Sequence, residues 1–306
     1  MKIVLIGLGR WGEKNARVLS ELGILVAVYD FDSQKVKEFG EKLSVNYYDS
    51  IDRIMVSESF DAAFLDSSVS KSVEIATKLL YEKKHVFVEN PIIHDSINGE
   101  KLKELSIKKR VVFSCEFDDQ LNPAVKQVKN FVREKRYGDL KILEFYRESL
   151  ASSENNDSIV LENTLKDIET VNEIFGEMPV VVFAIINSNN ENKNFASIML
   201  GYKENKTGII LSNNNSSKQV RSIRAICSGG LIFSNLISQE IKCENENSCA
   251  FPKEDSILLQ IQNFIQAIEE KNETMTSPGE TINAVKIVEA AFLSSKQGVP
   301  IYLDLK

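Results

Sequence analysis

The sequence predicts an α/β chain, with a doubly wound parallel sheet followed by an α+β domain that carries a largely antiparallel open sheet. Three observations lead there. From residue 2 to about residue 115, short apolar runs alternate with helix-length segments, the rhythm of repeated β-α-β units. A Gly-x-Gly-x-x-Gly turn, Gly7, Gly9 and Gly12, follows the first of those runs directly. Beyond about residue 118 the alternation gives way to clustered β-rich stretches and then two long helices.

The first element, Lys2 to Ile6, is an apolar run of the kind buried on both faces of a parallel sheet. Gly7 permits the tight turn, Gly9 lets the backbone approach a diphosphate, and Gly12 lets the next helix pack closely on the strand. That helix begins near Arg10, so its free amides and positive dipole end point at the turn. Leu25 to Tyr29 forms a second strand that closes on Asp30, eighteen positions after Gly12, where a carboxylate can accept hydrogen bonds from an adenosine ribose. The pattern predicts a Rossmann dinucleotide site formed by Gly7, Leu8, Gly9, Arg10, Trp11, Gly12, Asp30 and Phe31. NAD is the expected cofactor, because a 2'-phosphate would face Asp30; the nearby Lys35 leaves NADP possible. Trp11 has three readings: a cover for the diphosphate, a substrate contact, or packing for the first helix.

The pattern continues with a helix near Ser33 to Leu43, a strand at Ala62 to Asp66, a helix at Ser70 to Tyr81 and a strand at His85 to Glu89. A helix at Ser96 to Ile107 and a strand at Val111 to Cys115 complete it. Ligands of such sheets bind at the carboxyl ends of the strands, which adds Asp66 to Ser68 and Glu89 to Pro91 to the expected ligand edge, with Ser67, Ser68, Glu89 and Asn90 as the cofactor residues among them. His85 begins an inner strand and reads as structural; His94 falls in a loop. A domain boundary is expected at 118, giving a cofactor domain over 1–118 and a substrate and oligomerisation domain over 119–306. The second domain predicts a helix at Asn122 to Glu134, a strand at Leu140 to Glu148 and a helix at Ile159 to Phe175 that stops at Gly176. Four β-rich stretches follow, at Val180 to Asn187, Phe195 to Tyr202, Thr207 to Asn213 and Gln219 to Cys227, with turns at Lys203 to Lys206 and Ser228 to Gly230. Helices at Asp255 to Lys271 and Glu280 to Lys296 and a strand at Pro300 to Leu303 end the chain.

Composition narrows the function classes. With 306 residues, 43% hydrophobic and 26% charged, the chain is an ordinary globular protein large enough for two domains. A formal charge of -7 without a local Lys/Arg cluster argues against a nucleic-acid surface. No apolar run reaches bilayer length and the first residues read as a strand, so a cytoplasmic protein is expected. Four cysteines without paired spacing and only two histidines make a metal site unexpected.

The segments GLGRWGEKNARVL, VYDFD, FDAAFLDSS, KHVFVENP, LNPAV, LKDIETVNEIFG and the tail from FIQAIEEKNETMTSPGET onward resemble, in order, the Gfo/Idh/MocA family of NAD(P)-dependent sugar oxidoreductases. The Arg-Trp-Gly-x-x-Asn start and Asn122-Pro123 look most like members acting on nucleotide-linked amino sugars. The resemblance implies hydride transfer between nicotinamide and a sugar or nucleotide-sugar hydroxyl or carbonyl, and a homo-oligomer, dimer or tetramer. The family's Glu-Lys-Pro is Glu89-Asn90-Pro91 here, and its helical Asp and His, four residues apart, are Glu162 and Lys166. Its Thr-Pro pair is Ser67-Ser68, its nicotinamide-side histidine is Ser72, and an arginine before the Asn-Pro helix start is Gln120. Oxidising an alcohol requires a base for the hydroxyl proton, a contribution of about 10²–10⁴-fold. Asn90 can donate a hydrogen bond to the substrate oxygen but cannot take that proton. The expected catalytic set is Lys166 as base, Asn90 as donor and Glu162 beside them. The competing readings are an exposed i, i+4 ion pair of Glu162 with Lys166, a dinucleotide-binding protein without catalysis, and a reductase served by Asn90 alone.

Overall fold

The computed structural model describes residues 1–66, 71–89, 95–116, 118–150, 163–187, 195–244, 248–252, 254–275 and 277–304. The chain divides into two compact units, Met1–Phe117 with Asp255–Ile282, and Asp118–Glu254 with Asn283–Lys306.

The first unit begins β1 (Ile3–Ile6), α1 (Arg10–Glu21), β2 (Leu25–Tyr29), α2 (Ser33–Leu43), β3 (Asn46–Tyr48), α3 (Ile51–Ser57) and β4 (Ala62–Leu65). It continues α4 (Ser72–Tyr81), β5 (His85–Val88), α5 (Ser96–Lys109) and β6 (Phe113–Cys115). The second unit follows with α6 (Asp118–Leu121), α7 (Pro123–Arg133), β7 (Leu140–Leu150), α8 (Leu165–Phe175), β8 (Val181–Asn187), β9 (Phe195–Gly201), β10 (Thr207–Ser216) and β11 (Val220–Cys227). Then come β12 (Gly230–Asn235), β13 (Glu240–Cys243), β14 (Cys249–Ala250), α9 (Ser256–Glu270), α10 (Pro278–Gln297) and β15 (Ile301–Tyr302).

Six parallel strands form the first sheet in the order β3-β2-β1-β4-β5-β6. The chain winds outward from β1 to β3 and then returns to place β4 on the other flank of β1. This reversal opens a crevice at the carboxyl ends of β1 and β4, where a doubly wound sheet binds its ligand. Every residue of β1 and β4 is buried, because helices cover both faces. The helix starts are written in the sequence: Asp32 accepts the Gln34 and Lys35 amides at α2, Ser50 the Arg53 amide at α3, and Asp95 the Asn98 amide at α5. His85 is structural, as expected. Its Nδ1 accepts the Val112 amide at 2.9 Å, and burial pushes its pKa down, opposed by Asp61. Sequence periodicity passed over β3 and α3. β3 is a three-residue edge strand whose first two residues are exposed, and α3 spans only seven residues, too few to display a helical stripe.

Helix α9 packs within the first unit. Phe264 meets the rings of Phe64 and Phe87 edge to face, with centroids 5.6 and 5.3 Å apart, and Trp11 stacks on the same two rings at 6.1 Å. Aromatic pairs of this kind contribute about 0.5–1.5 kcal/mol each beyond their area.

The second sheet runs β14-β13-β12-β11-β7-β10-β9-β8-β15 and is antiparallel throughout except for the parallel pair β7 and β10. Its strands alternate. Leu143, Phe145, Ile198, Ile210 and Ile223 are fully buried on one face, while Tyr146, Ile185, Met199 and Phe233 stay exposed on the other. Asn122 caps α7 by accepting the Ala124 amide, and its Nδ2 donates to the Leu236 carbonyl at 2.9 Å. Helix α8 ends at Gly176, whose φ of +69° provides the left-handed stop. It begins at Leu165, later than the apolar pattern implied; residues 159–162 lie outside the described set. Strands β12 to β14 extend the sheet beyond the four stretches foreseen, through the hairpin at Ser228 and Gly229. Among the described residues no helix is long and apolar enough to cross a membrane, and no group of three or more His, Cys, Asp or Glu could hold a metal ion.

Candidate functional site

The glycine turn sits between β1 and α1, and its geometry demands its glycines. Gly7 has a φ of +94°. A Cβ on Gly12 would lie 2.2 Å from the Gly7 carbonyl oxygen and 2.8 Å from Asp66 Oδ2, so no larger residue fits. Gly9 is the N-cap of α1 and brings no side-chain cap. The first intrahelical bond is Glu13 N–H to the Gly9 carbonyl at 2.9 Å, so the amides of Arg10, Trp11 and Gly12 have no acceptor within the helix.

Two carboxylates draw on this turn. Asp30, at the end of β2, accepts the Leu8 amide at 2.6 Å through Oδ2 and the Asp32 amide at 3.0 Å through Oδ1. Each oxygen retains a second lone pair for a ribose hydroxyl. Asp66, at the end of β4, accepts the Gly12 amide at 2.9 Å. The Gly9, Arg10 and Trp11 amides are left to face a diphosphate at the positive end of α1, so the turn and Asp30 fit a dinucleotide. NAD suits this arrangement better than NADP, since Lys35, the first cation after Asp30 in sequence, is paired with Glu13 at 3.1 Å. Phe31 stands beside Asp30, 57% exposed, with its ring in a T-shaped pair with that of Tyr29. Of the three readings of Trp11, the indole follows packing: it is buried in the aromatic stack and leaves only its amide to the turn. Glu89 is half-buried and continues the sheet through its amide to the Leu65 carbonyl at 2.9 Å. Ser67, Ser68, Asn90, Glu162 and His94 lie outside the described residues.

In the second unit Lys166 is half-buried in the first turn of α8, and its carbonyl accepts the Thr170 hydroxyl at 2.9 Å. Its neighbour Asp167 is fully buried and meets Arg147 of β7 through Nε, at 3.0 Å to each carboxylate oxygen, and through the second guanidinium nitrogen. Ser212 of β10 donates to Asp167 at 3.2 Å. Arg147 also donates to Asp119 of α6 at 2.8 Å, and Arg221 of β11 donates to the same carboxylate. Burial pushes the Asp167 carboxyl up from its ordinary value, opposed by Arg147, then Ser212 and Lys166. Alternation along β7 puts the adjacent Tyr146 and Arg147 on opposite faces of the sheet. Arg147 enters this quartet on the covered face, and Tyr146 is exposed on the opposite one. Sequence reasoning missed Asp119, Asp167 and Arg221, which meet their partners only across elements 20 to 102 residues apart; it placed Asp66 on the ligand edge but not its bond to Gly12.

Residues 1–117 match the family described as an oxidoreductase family with an NAD-binding Rossmann fold, Gfo/Idh/MocA. A myo-inositol 2-dehydrogenase from Thermotoga maritima is 27% identical over 192 residues, which cover 60% of this chain and 58% of that relative. Two solved structures share the fold over nearly the whole chain. A probable dehydrogenase from Thermotoga maritima aligns with a TM-score of 0.85 at 23% identity, covering 99% of both chains. The UDP-N-acetylglucosamine 3-dehydrogenase of Acidithiobacillus ferrooxidans aligns with a TM-score of 0.87 at 16% identity, covering 97% of this chain and 98% of that one. The part of the chain that matches the Gfo/Idh/MocA model, residues 1–117, is the part that holds the glycine turn and strands β1 to β6.

Proposed function

We propose that the protein is an NAD-dependent oxidoreductase that moves hydride between nicotinamide and a hydroxyl or carbonyl carbon of a sugar or nucleotide-sugar. The observation that carries this reading is the glycine turn with three amides facing outward and Asp30 placed beside it. The substrate class is supported by the names of two similar proteins, one acting on myo-inositol and one on UDP-N-acetylglucosamine. The Gly9, Arg10 and Trp11 amides hold the diphosphate, Asp30 the ribose hydroxyls, and Phe31 the adenine face. NAD, when bound, supplies the hydride acceptor. Lys166 takes the hydroxyl proton in the oxidising direction and returns it in the reducing one, with Asn90 donating a hydrogen bond to the same oxygen and Glu162 holding the lysine. Residues 1–118 serve the cofactor, and 119–306 the substrate and self-association. Purified protein is expected to bind NAD+ more tightly than NADP+ by calorimetry and to form reduced nicotinamide with at least one member of a polyol, sugar and nucleotide-sugar panel. Silence across the panel despite NAD+ binding, seen as a raised melting temperature, would instead support the reading without catalysis, which the replacements at positions 90 and 166 favour.

The exposed face of the second sheet supports self-association. Ile185 is 55% exposed and Met199 50%, and the cross-strand row from Ile185 runs through Ser197 and Leu211 to Tyr146. Apolar side chains spread over neighbouring strands in this way mark a surface that another copy covers. Size-exclusion chromatography with light scattering is expected to give a dimer or tetramer, and Met199→Lys to lower the mass toward that of one chain.

A further inference from the structure

Asp66 places an acid directly beneath the amino end of α1. It is 1% exposed, its amide donates to the Ile6 carbonyl at 2.9 Å, and its Oδ2 accepts the Gly12 amide at 2.9 Å. A helix amino end carries roughly half a positive charge on its unpaired amides, and that charge is what draws a diphosphate. Here a resident carboxylate already takes one of those amides. The N-cap itself, Gly9, supplies no side chain, so Asp66 performs from β4 the capping that an N-cap carboxylate would perform locally. Asp30 claims the Leu8 amide in the same way. Lys35, in the first turn of α2, is paired with Glu13 at 3.1 Å. A diphosphate arriving at the Gly9, Arg10 and Trp11 amides therefore meets a helix end whose field is partly spent and a negative charge that burial keeps from being screened.

We propose that Asp66 sets the affinity of the dinucleotide: it stabilises the turn in the free protein and weakens the grip on the diphosphate, so that coenzyme exchanges readily. The inference rests on the NAD-binding reading above and deepens it. Calorimetry with NAD+, ADP and adenosine on the full chain tests it in the wild type, Asp66→Asn and Asp66→Ser. Both replacements keep an oxygen that can accept the Gly12 amide and remove the charge, and thermal melts identify the variants that fold. Binding of NAD+ and ADP is expected to tighten roughly tenfold in the variants, with adenosine, which lacks phosphate, unchanged. Folded variants that bind ADP no more tightly than the wild type overturn the role of Asp66. If adenosine tightens as much as ADP, the effect is not on the diphosphate and the proposal also falls. Wild type and variants alike failing to bind any of the three would instead overturn the cofactor reading on which it rests.

Discussion

Gly12→Val is expected to abolish NAD+ binding and to lower stability by about 2–3 kcal/mol, the upper part of the range for overpacking a tight site. A first side-chain carbon at this position would sit 2.2 Å from a backbone oxygen, and backbone cannot rotate aside as a flexible side chain can. Relief must come from moving α1 away from the β1 turn. That shift breaks the Gly12 bond to Asp66 and misdirects the Arg10 and Trp11 amides together. Gly23→Ala is the control. Gly23, unlike Gly12, has a positive φ, +68°, and nothing lies within 4 Å of an added carbon, so the change strains the backbone without disturbing the turn. Calorimetry should find no heat for NAD+ with Gly12→Val and unchanged affinity with Gly23→Ala. Retained binding in the valine variant would show that the diphosphate does not use this turn.

Lys166→Met is expected to reduce turnover by about 10²–10⁴-fold, the usual contribution of a positioned proton acceptor, while NAD+ affinity and melting temperature stay near wild type. Methionine keeps the length and apolar stem of lysine and removes only the amine, so a loss confined to turnover identifies proton transfer. Steady-state rates at saturating substrate, read beside calorimetry and thermal melts, separate the alternatives. Undiminished turnover with a rate lost in Asn90→Ala would assign the chemistry to a hydrogen bond alone. A lower melting temperature with unchanged turnover would make Lys166 one half of a surface ion pair.

Legibility in the sequence tracked how local each signal was. The turn, α1, β2 and Asp30 occupy thirty consecutive residues, and their spacing encodes the dinucleotide half of the site. The caps of α2, α3, α5 and α7 are equally local, each an acceptor two or three residues before the amide it holds. Trp11 could not be settled in the same way. A ring after a glycine turn can point to ligand or core, and what decides it is Phe64, Phe87 and Phe264, far along the chain. Asp66 was legible as a residue of the ligand edge, but nothing near it in sequence reveals that it reaches back 54 residues to Gly12. The compact units divide in a way no composition shift announces. Helix α9 lies in the C-terminal part of the sequence yet joins the first unit, through a phenylalanine whose helical spacing resembles that of any core residue.

Asp119, Arg147, Asp167 and Arg221 form an alternating chain of two acids and two bases, of which the first three are nearly shut off from water and Arg221 is 26% exposed. Opposite signs cancel only while all four are present, and losing one member of such a buried set costs about 3–5 kcal/mol by stranding its neighbour. Replacing them jointly with apolar groups of matching volume need cost nothing, because no orphan charge remains. Variants that lose Asp119, Arg147 or Asp167 alone are therefore expected to be less stable than those that keep the quartet or replace it whole. The cluster should persist as a block or vanish as one, and sequence drift at any of its positions must wait for the others.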